Sequence, residues 1–202
     1  MHKLIFIILF SIASNAFCQE NSIKSYYGYV GSGFSVAPFN GSKLGCLYGG
    51  GVTISSKHSS YSLIYNNNIE FDIFGDLPEE IVYSIDLLYG INYNNKHRGL
   101  IFPFFPFGLL VKREFESMLT INIGIGYVGT RKRTSLKQEG SLGDYYNTKY
   151  PSTIGLALSL NLIEKTTSFL GFGVCGYANL NKETSYMGIR GDIYFGNFDK
   201  YF

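Results

Sequence analysis

Large apolar residues recur at every second position along three stretches of the chain, residues 81–93, 119–128 and 154–163. The positions between them are mostly small or polar, as Ser84 and Asp86 are in the first stretch. A period of two places successive side chains on opposite faces, which is typical of a β-strand with one apolar face. Weaker alternation of the same kind predicts five more strands, over residues 24–36, 46–56, 61–73, 168–180 and 185–195. The chain is therefore predicted to form eight strands.

One apolar run does not fit this pattern. Residues 100–111 are apolar almost throughout but contain Pro103 and Pro106, and proline cannot donate to a sheet ladder. Residues 95–115 are therefore expected to form an unusually long connection or an additional strand pair, which would give ten strands in place of eight. Residues 78–80 also resemble the start of a helix, but the unbroken alternation that follows favours a strand.

The connections between the strands differ in length. Short turns are predicted at residues 57–59, 164–167 and 181–183. The longest connection, residues 129–151, is polar and contains glycine, so we expect an exposed loop there. If both ends of the chain are periplasmic, the first two turns are periplasmic and the long connection is an outer loop.

The alternation does not by itself say whether the apolar faces point into a barrel or out of it. A soluble barrel buries them, whereas a membrane barrel turns them towards lipid. The opposite faces carry small or polar side chains, as a narrow polar lumen requires. Aromatic residues recur near strand ends, as in the interfacial girdles of membrane barrels. They are Tyr26, Tyr61, Tyr93, Tyr127, Tyr177 and Phe195. We therefore predict an all-β, antiparallel, up-and-down transmembrane β-barrel. The alternative, with the faces exchanged, is a soluble lipocalin-like carrier of an apolar ligand.

The composition excludes several other classes of protein. Charged residues form 16% of the 202 residues, against roughly 25% in soluble domains. The 17 tyrosines and 17 phenylalanines argue against a disordered chain. A net charge of +2 gives no support to a nucleic-acid binder. Three cysteines are too few for a disulfide scaffold. Cys46 and Cys175 fall on opposite faces of their strands, so no disulfide is expected between them.

The first 18 residues have the organisation of a secretory signal peptide. Lys3 precedes an apolar run, and small or polar residues follow it up to Cys18. The apolar run is too short for a membrane-spanning helix, which takes about 20 residues. Cleavage after Cys18 is predicted, leaving one barrel domain over residues 19–202. A lipid anchor on Cys18 is disfavoured, because a bulky phenylalanine precedes it where a small residue is usual.

Several short segments resemble those of a known family. They are residues 70–75, 87–90, 123–127, 170–173 and 179–181. In their sequence pattern they resemble the strands of small outer-membrane β-barrel proteins of Gram-negative bacteria, most of which are uncharacterised. The likeness extends over nearly all of the chain after the predicted signal peptide. It implies a barrel fold and an outer-membrane location, and it implies no activity. In that class an aromatic residue usually ends the last strand and the chain, whereas here the last alternating strand stops near Phe195.

Two glycine motifs match the dinucleotide-binding pattern G-x-G-x-x-G, at residues 124–129 and 171–176. Nucleotide binding needs a helix directly after the glycines. A polar loop is expected after the first motif, and a strand continues through the second. Glycines spaced by two on strands explain both matches, so no cofactor is predicted.

The histidines offer no persuasive catalytic site. His58 and His97 are both expected in solvated periplasmic turns. A barrel enzyme acting on lipid would need one of them within hydrogen-bond reach of a serine, with a carboxylate nearby. No cluster of histidine, cysteine and carboxylate residues has the spacing of a zinc site. No catalytic residue and no metal site are predicted, and an outer-membrane lipid-modifying enzyme is kept as an alternative.

Five charged residues project into the predicted lumen by their strand phase. They are Glu70, Asp72, Asp86, Arg190 and Asp192. Eight strands enclose a lumen that side chains fill, and buried charges must be paired. We expect Arg190 to be held by one or more of Glu70, Asp86 and Asp192. A polar core that fixes the strand register is the favoured role, and a path for a small solute or an ion is the alternative.

The long connection also carries a basic cluster, Arg131, Lys132 and Arg133. In an outer loop these residues would suit anionic headgroups, although a solvated charge cluster is the commoner explanation. The predicted partners are outer-membrane lipid and, through the loops, lipopolysaccharide or other surface partners, with no nucleic acid among them. The favoured function is a structural or surface-interaction role without catalysis.

Overall fold

The computed structural model describes residues 25–37, 43–56, 58–70, 80–98, 114–138 and 145–198. These ranges contain nine β-strands: β1 (Ser25–Ala37), β2 (Lys43–Ser55), β3 (Ser59–Glu70), β4 (Glu80–Arg98), β5 (Glu114–Gln138), β6 (Tyr145–Lys149), β7 (Ser152–Lys165), β8 (Leu170–Leu180) and β9 (Tyr186–Asn197). The signal peptide, its cleavage position, Asp72 and the apolar run 100–111 lie outside the described residues. No helix in the described ranges has the length and apolar character that crossing a membrane requires.

Eight strands close into a barrel. Their hydrogen-bonded order is β4–β3–β2–β1–β9–β8–β7–β5, and pairing of β4 with β5 joins the two ends. Strand β6 is not a ninth strand of the barrel wall. It pairs with residues 132–138 of β5, and β7 pairs on the same side with residues 116–129. Between β6 and β7 lies Pro151, which has no N–H to donate and accepts the Thr130 N–H at 2.9 Å. The predicted eight-stranded antiparallel barrel is confirmed, and the ten-stranded alternative is wrong.

Two strands are longer than the alternation indicates. β4 is a strand from Glu80 onwards, so the helical alternative is wrong for this segment. His97, predicted in a turn, lies in β4 opposite Phe115. β5 continues to Gln138 and pairs with β6. The predicted loop 129–151 is therefore largely a two-stranded ribbon, because backbone pairing continues where the apolar periodicity ends. Residues 130–138 and 145–149 are called the outer ribbon below.

The barrel is strongly sheared. A row of directly paired residues begins at Ser59 in β3, passes around the barrel through Ile121 and Ile189, and returns to β3 at Ile69. The stagger is therefore 69 − 59, or ten residues for eight strands. Closing a barrel with such a stagger tilts the strands by about 35–45°. Each lumen residue therefore meets partners from distant parts of the sequence.

The apolar faces of the strands point outwards. In β4, Leu87 and Tyr89 are exposed, whereas Ser84 and Asp86 are buried. Large exposed apolar residues occur on every one of the eight barrel strands. The predicted direction is confirmed, and the soluble carrier, which needs an apolar lumen, is wrong. One aromatic residue was misplaced: Tyr177 is buried in the lumen and is not part of a girdle. The odd-numbered residues of β8 face the lumen, and Tyr177 is one of them.

The two cysteines of the barrel are not bonded to each other. Cys175 is buried and Cys46 is half-buried, and both are free thiols. The expectation that they form no disulfide is therefore confirmed.

An aromatic stack closes the end of the lumen at which β1 begins and β9 ends. Phe198, the residue after β9, is fully buried, and its ring stacks on Tyr27 with centroids 5.4 Å apart. The Phe198 N–H donates to the carbonyl of Ser168 at 3.0 Å. Tyr194 packs edge-on against Tyr27 at 5.7 Å. The segment after the last strand therefore turns an aromatic side chain into the lumen.

Candidate functional site

Arg190 and Asp192 form an ion pair inside the lumen. Both lie on the lumen face of β9, because they are two residues apart in one strand. The Arg190 Nε donates to Asp192 Oδ1 at 2.5 Å, and Nη2 donates to Asp192 Oδ2 at 3.1 Å. Arg190 is completely buried, and its guanidinium lies 5.4 Å from the ring centroid of Tyr29. A charge so far from water is tolerated only with such partners.

Asp86 is the second charged centre of the lumen. It is completely buried on β4, and four side chains donate to its carboxylate. The donors are Tyr177 at 2.7 Å, Ser84 at 2.8 Å, Asn179 at 3.2 Å and Asn66 at 3.4 Å. Because Tyr177 and Asn179 lie on β8 and Asn66 lies on β3, the carboxylate links three strands. Hydrogen bonds to the ionised form compensate in part for the loss of water around it.

Asn66 connects the two charged centres. Its carbonyl oxygen accepts a hydrogen bond from Arg190 Nη1, and its amide donates to Asp86 Oδ2. Arg190, Asp192 and Asp86 are therefore parts of one network, called the lumen network below. The carboxylate in direct contact with Arg190 is Asp192, and Asp86 is reached through the amide.

Glu70 occupies another position. It follows Asn66 by four residues in β3, about 13 Å along the strand towards the outer end. There it lines a small cavity of about 20 Å³ together with Glu80, Val82 and Thr184. The structure thus brings three of the five predicted lumen residues together and places Glu70 at the mouth. Asp72 lies outside the described residues.

Three glycines on the lumen faces make room for the charged residues. A Cβ on Gly126 would collide with Asp86 Oδ1, and one on Gly31 would collide with Asp192 Oδ1. A Cβ on Gly49 would come within 2.8 Å of Arg190 Nη1. These glycines contribute to the network because the absence of a side chain leaves space for the charged groups. The sequence indicates their position, since each of the three lies among the lumen-facing residues of its strand.

The polar partners Tyr177, Asn66 and Asn179 were missed as members of the site. Asn66 has the lumen phase, but nothing in β3 alone indicates that it faces Arg190. The position of Tyr177 near a strand end predicts a girdle residue, and this prediction is wrong. The phase of β8, set by the exposed Leu180, would have placed Tyr177 inside.

The basic cluster is divided between the two faces of the outer ribbon. The Lys132 ammonium lies 3.3 Å from Glu80 Oε1 and donates to the Glu183 carbonyl at 3.2 Å. Thr184 donates to the same Glu80 carboxylate. Arg131 is exposed, and Arg133 is half-buried. Lys132 therefore closes the outer mouth of the lumen, while Arg131 lies on the opposite face of β5.

His58 lies in the turn between β2 and β3 and is exposed. The nearby serines bond to each other, with Ser56 Oγ and Ser59 Oγ 2.9 Å apart. Across the described residues, no three His, Cys, Asp or Glu side chains are arranged to hold a metal ion. The side chains of the lumen network are likewise buried, with Asp192 the most exposed at 3%. The arrangement suits the fixing of register in a packed polar core.

The chain resembles solved barrel structures in fold. Neisserial surface protein A superposes with a TM-score of 0.54 at 9% identity, over 85% of this chain and 96% of that one. The N-terminal β-barrel domain of Pseudomonas aeruginosa OprF gives 0.48 at 10% identity, over 85% and 96%. The attachment invasion locus protein Ail of Yersinia pestis gives 0.48 at 10% identity, over 85% and 95%. No protein-family model matches the chain, and no curated protein is similar enough to count as a relative. The chain has the fold of the small eight-stranded outer-membrane β-barrels.

Proposed function

We propose that the protein is a structural and surface-interaction barrel in the outer membrane of a Gram-negative bacterium, and that its outer ribbon is the element that contacts partners. The observation that carries the proposal is the continuation of β5 beyond the barrel, paired with β6. The last pair of β5 with β4 is Lys132 with Glu80, and the six residues of β5 that follow, 133–138, extend about 20 Å along the strand direction. A paired ribbon presents its side chains in a fixed arrangement, which a flexible loop of the same length does not.

The location rests on the outward apolar faces and on the predicted export signal. Exposed apolar residues on all eight strands would be unstable in water and suit a bilayer. Cleavage after Cys18, which leaves residues 19–202 as the mature barrel, is part of the proposal. The ends of β1 and β9 then lie on the periplasmic side, and the outer ribbon lies on the cell surface.

The lumen network has a structural role in this proposal. Its members fill the interior, and the ring of Phe198 and the Lys132–Glu80 pair lie at the two ends. Transport of a solute would require that these groups move. Catalysis has no place in the proposal, since the exposed His58 belongs to a turn whose serines bond to each other.

Cysteine labelling in intact cells tests the topology. Thr134 is exposed in the outer ribbon, and Ser168 is exposed in the turn between β7 and β8 at the other end of the barrel. A membrane-impermeant maleimide should label Thr134→Cys in intact cells and Ser168→Cys only after the outer membrane is opened. The unsubstituted protein is the blank, because Cys175 is buried and Cys46 faces outward at bilayer depth. The reverse labelling pattern would overturn the orientation, and a soluble periplasmic protein would overturn the location.

A ribbon deletion tests the surface-interaction role. A chain in which residues 131–148 are replaced by a short glycine-containing turn loses the two pairs that Arg131 and Lys132 make with β4 and keeps the other 17 pairs of β4 with β5. It should still show different gel mobility before and after boiling, which indicates a closed barrel. It should lose the binding of the intact protein to vesicles that contain lipopolysaccharide. Unchanged binding by the shortened protein would contradict the role of the ribbon.

A further inference from the structure

The outward face of β5 changes from apolar to cationic within a few residues. Ile123, Ile125 and Tyr127 are exposed on this face, where they meet the bilayer. Arg131 and Arg133 continue the same odd-numbered phase further along the strand. Arg131 is exposed there, whereas Arg133 is half-buried, so Arg131 is the cation that stands above the lipid-facing residues on the outer side of the barrel.

The backbone of Arg131 lies a few ångströms outside the headgroup layer, within the reach of a long side chain that turns back towards the membrane. Arg131 follows Tyr127 by four residues, which is about 13 Å along the strand and roughly 10 Å along the barrel axis at the tilt of this barrel. Tyr127 and Tyr83 are the outermost exposed aromatic residues of β5 and β4 in the described ranges. Such residues lie where hydrocarbon meets headgroups, and the headgroup layer is about 5–8 Å thick on each side.

The neighbours of Arg131 are apolar or aromatic. Ile81 of β4 lies directly opposite Arg131 in the register, and the Tyr83 ring covers Gly129. On the other side, Tyr150 and Ile154 are 72% and 74% exposed. A lipid molecule with its chains against Ile154 and its phosphate beside Arg131 would contact all of these groups.

The cations of the other face have different surroundings. Lys132 is bound to Glu80 at the mouth of the lumen. Lys149 lies opposite Lys132 in the register and shares its face. The ribbon therefore presents Arg131 to the bilayer side and Lys149 to the axial side. A membrane lipid at the side of the barrel would therefore meet Arg131, whereas a soluble polyanion that approaches along the barrel axis would meet Lys149.

We propose that Arg131 binds the phosphate of an outer-leaflet lipid at the side of the barrel. Guanidinium groups match phosphate oxygens with two parallel hydrogen bonds, and the tyrosine rings accommodate the boundary between chain and headgroup. The proposal rests on the proposed function for the location of the protein. It adds the chemical class of the partner and the face on which it binds.

The test compares two spin-labelled lipids around the purified full-length protein in phosphatidylcholine vesicles. The probes are phosphatidic acid and phosphatidylcholine, and the readout is the fraction of each that the protein immobilises. The variants are Arg131→Gln, and Lys149→Gln as a control on the same ribbon. Each variant must first show the heat-dependent gel mobility of a closed barrel.

The wild-type protein and Lys149→Gln should prefer phosphatidic acid. Arg131→Gln should lose most of this preference, by roughly fivefold, because each basic residue near a membrane surface contributes about 1 kcal/mol. An undiminished preference in Arg131→Gln would overturn the proposal, as would an equal loss in Lys149→Gln.

A second arm uses soluble inorganic polyphosphate as a competitor. Polyphosphate should leave the immobilised fraction of phosphatidic acid unchanged. Displacement of the lipid would show that the site takes free polyanions, and the lateral lipid site would be wrong. The vesicle measurement is independent of cell location, so its failure is distinguishable from a failed labelling experiment in cells.

Discussion

Arg190 and Asp192 satisfy each other within a single strand, with the guanidinium and the carboxylate two residues apart on the lumen face of β9. An ion pair inside one strand does not specify how that strand aligns with its neighbours. The alignment is specified by the contacts that leave the strand. Arg190 donates to Asn66 of β3, and Asn66 donates to Asp86 of β4. The charges of Arg190 and Asp192 therefore balance within one strand, while neutral amides and hydroxyls make the contacts between strands that fix the register.

Replacement of Asp192 should be among the most damaging single changes. Asp192→Asn leaves the buried Arg190 guanidinium without its counter-charge, and breaking a buried pair in this way costs about 3–5 kcal/mol. The free energy of unfolding can be measured in vesicles by urea titration, with gel mobility as the readout. The matched control is Lys182→Gln, because Lys182 is exposed in the turn between β8 and β9. Equal stability of Asp192→Asn and the wild type would show that the pair is not needed.

The same pair should be replaceable as a unit. Arg190→Met combined with Asp192→Leu removes both charges and retains volume, and such exchanges are often neutral or stabilising. The double variant should therefore be more stable than Asp192→Asn alone in the same urea titration. A double variant that is less stable would indicate that the bond from Arg190 to Asn66 matters more than charge balance.

The Tyr177 hydroxyl should contribute measurably to stability. Tyr177→Phe removes the donor 2.7 Å from Asp86 and leaves the carboxylate with three side-chain donors. The expected loss is about 1–3 kcal/mol, the usual cost of leaving a charged acceptor short of one hydrogen bond. Tyr26→Phe is the control, because Tyr26 is exposed on the outer face of β1. If both variants lose equal stability, the effect does not come from Asp86.

The glycines of the lumen should not tolerate a methyl group. Gly126→Ala forces a Cβ against Asp86 Oδ1, and overpacking of this kind costs about 1–3 kcal/mol. Gly176→Ala is the comparison, since the nearest atom to its added Cβ is 4.0 Å away. Each variant adds one methyl group to the same barrel, and the urea midpoint of Gly126→Ala should lie below that of Gly176→Ala. Coinciding midpoints would mean that the network around Asp86 can move aside.

The two thiols should differ in reactivity. Cys175 is buried in the lumen beside Arg190 in the register, so a maleimide should not react with it until the barrel unfolds. Of Cys46 and Cys175, mass spectrometry of detergent-solubilised protein should therefore find at most one modified before heating and both after it. Early modification of Cys175 would indicate that the lumen opens under native conditions.

The barrel could be predicted because membrane strands repeat a simple pattern. The alternation of Ile81 to Tyr93 determines both the strand and its outward face, and Arg190 and Asp192 follow from the phase of β9. The error at Tyr177 arose because tyrosine suits both an interfacial girdle and a polar lumen, and only its odd position distinguishes the two. The Asn66 bridge depends on which strands face each other across the lumen, which the ten-residue stagger decides and single strands do not reveal.

The outer ribbon could not be predicted for a different reason. A strand that leaves the membrane has no apolar face, so Arg131 to Thr134 show the polarity of a loop while they keep the hydrogen bonds of a ladder. Pro151 was the one residue that indicated the ribbon. It separates β6 from β7, the two strands that pair in turn with β5, and β5 itself continues past it.

This interruption has a mechanical consequence. Within the described residues, β5 alone continues without a break from the end of the barrel at which β1 begins and β9 ends to the end of the outer ribbon. A force applied to the ribbon would therefore pass into β5 and along its 19-residue ladder with β4. All the bonds of that ladder would resist together, and the part of the partner strand beyond Pro151 could yield first without opening the barrel.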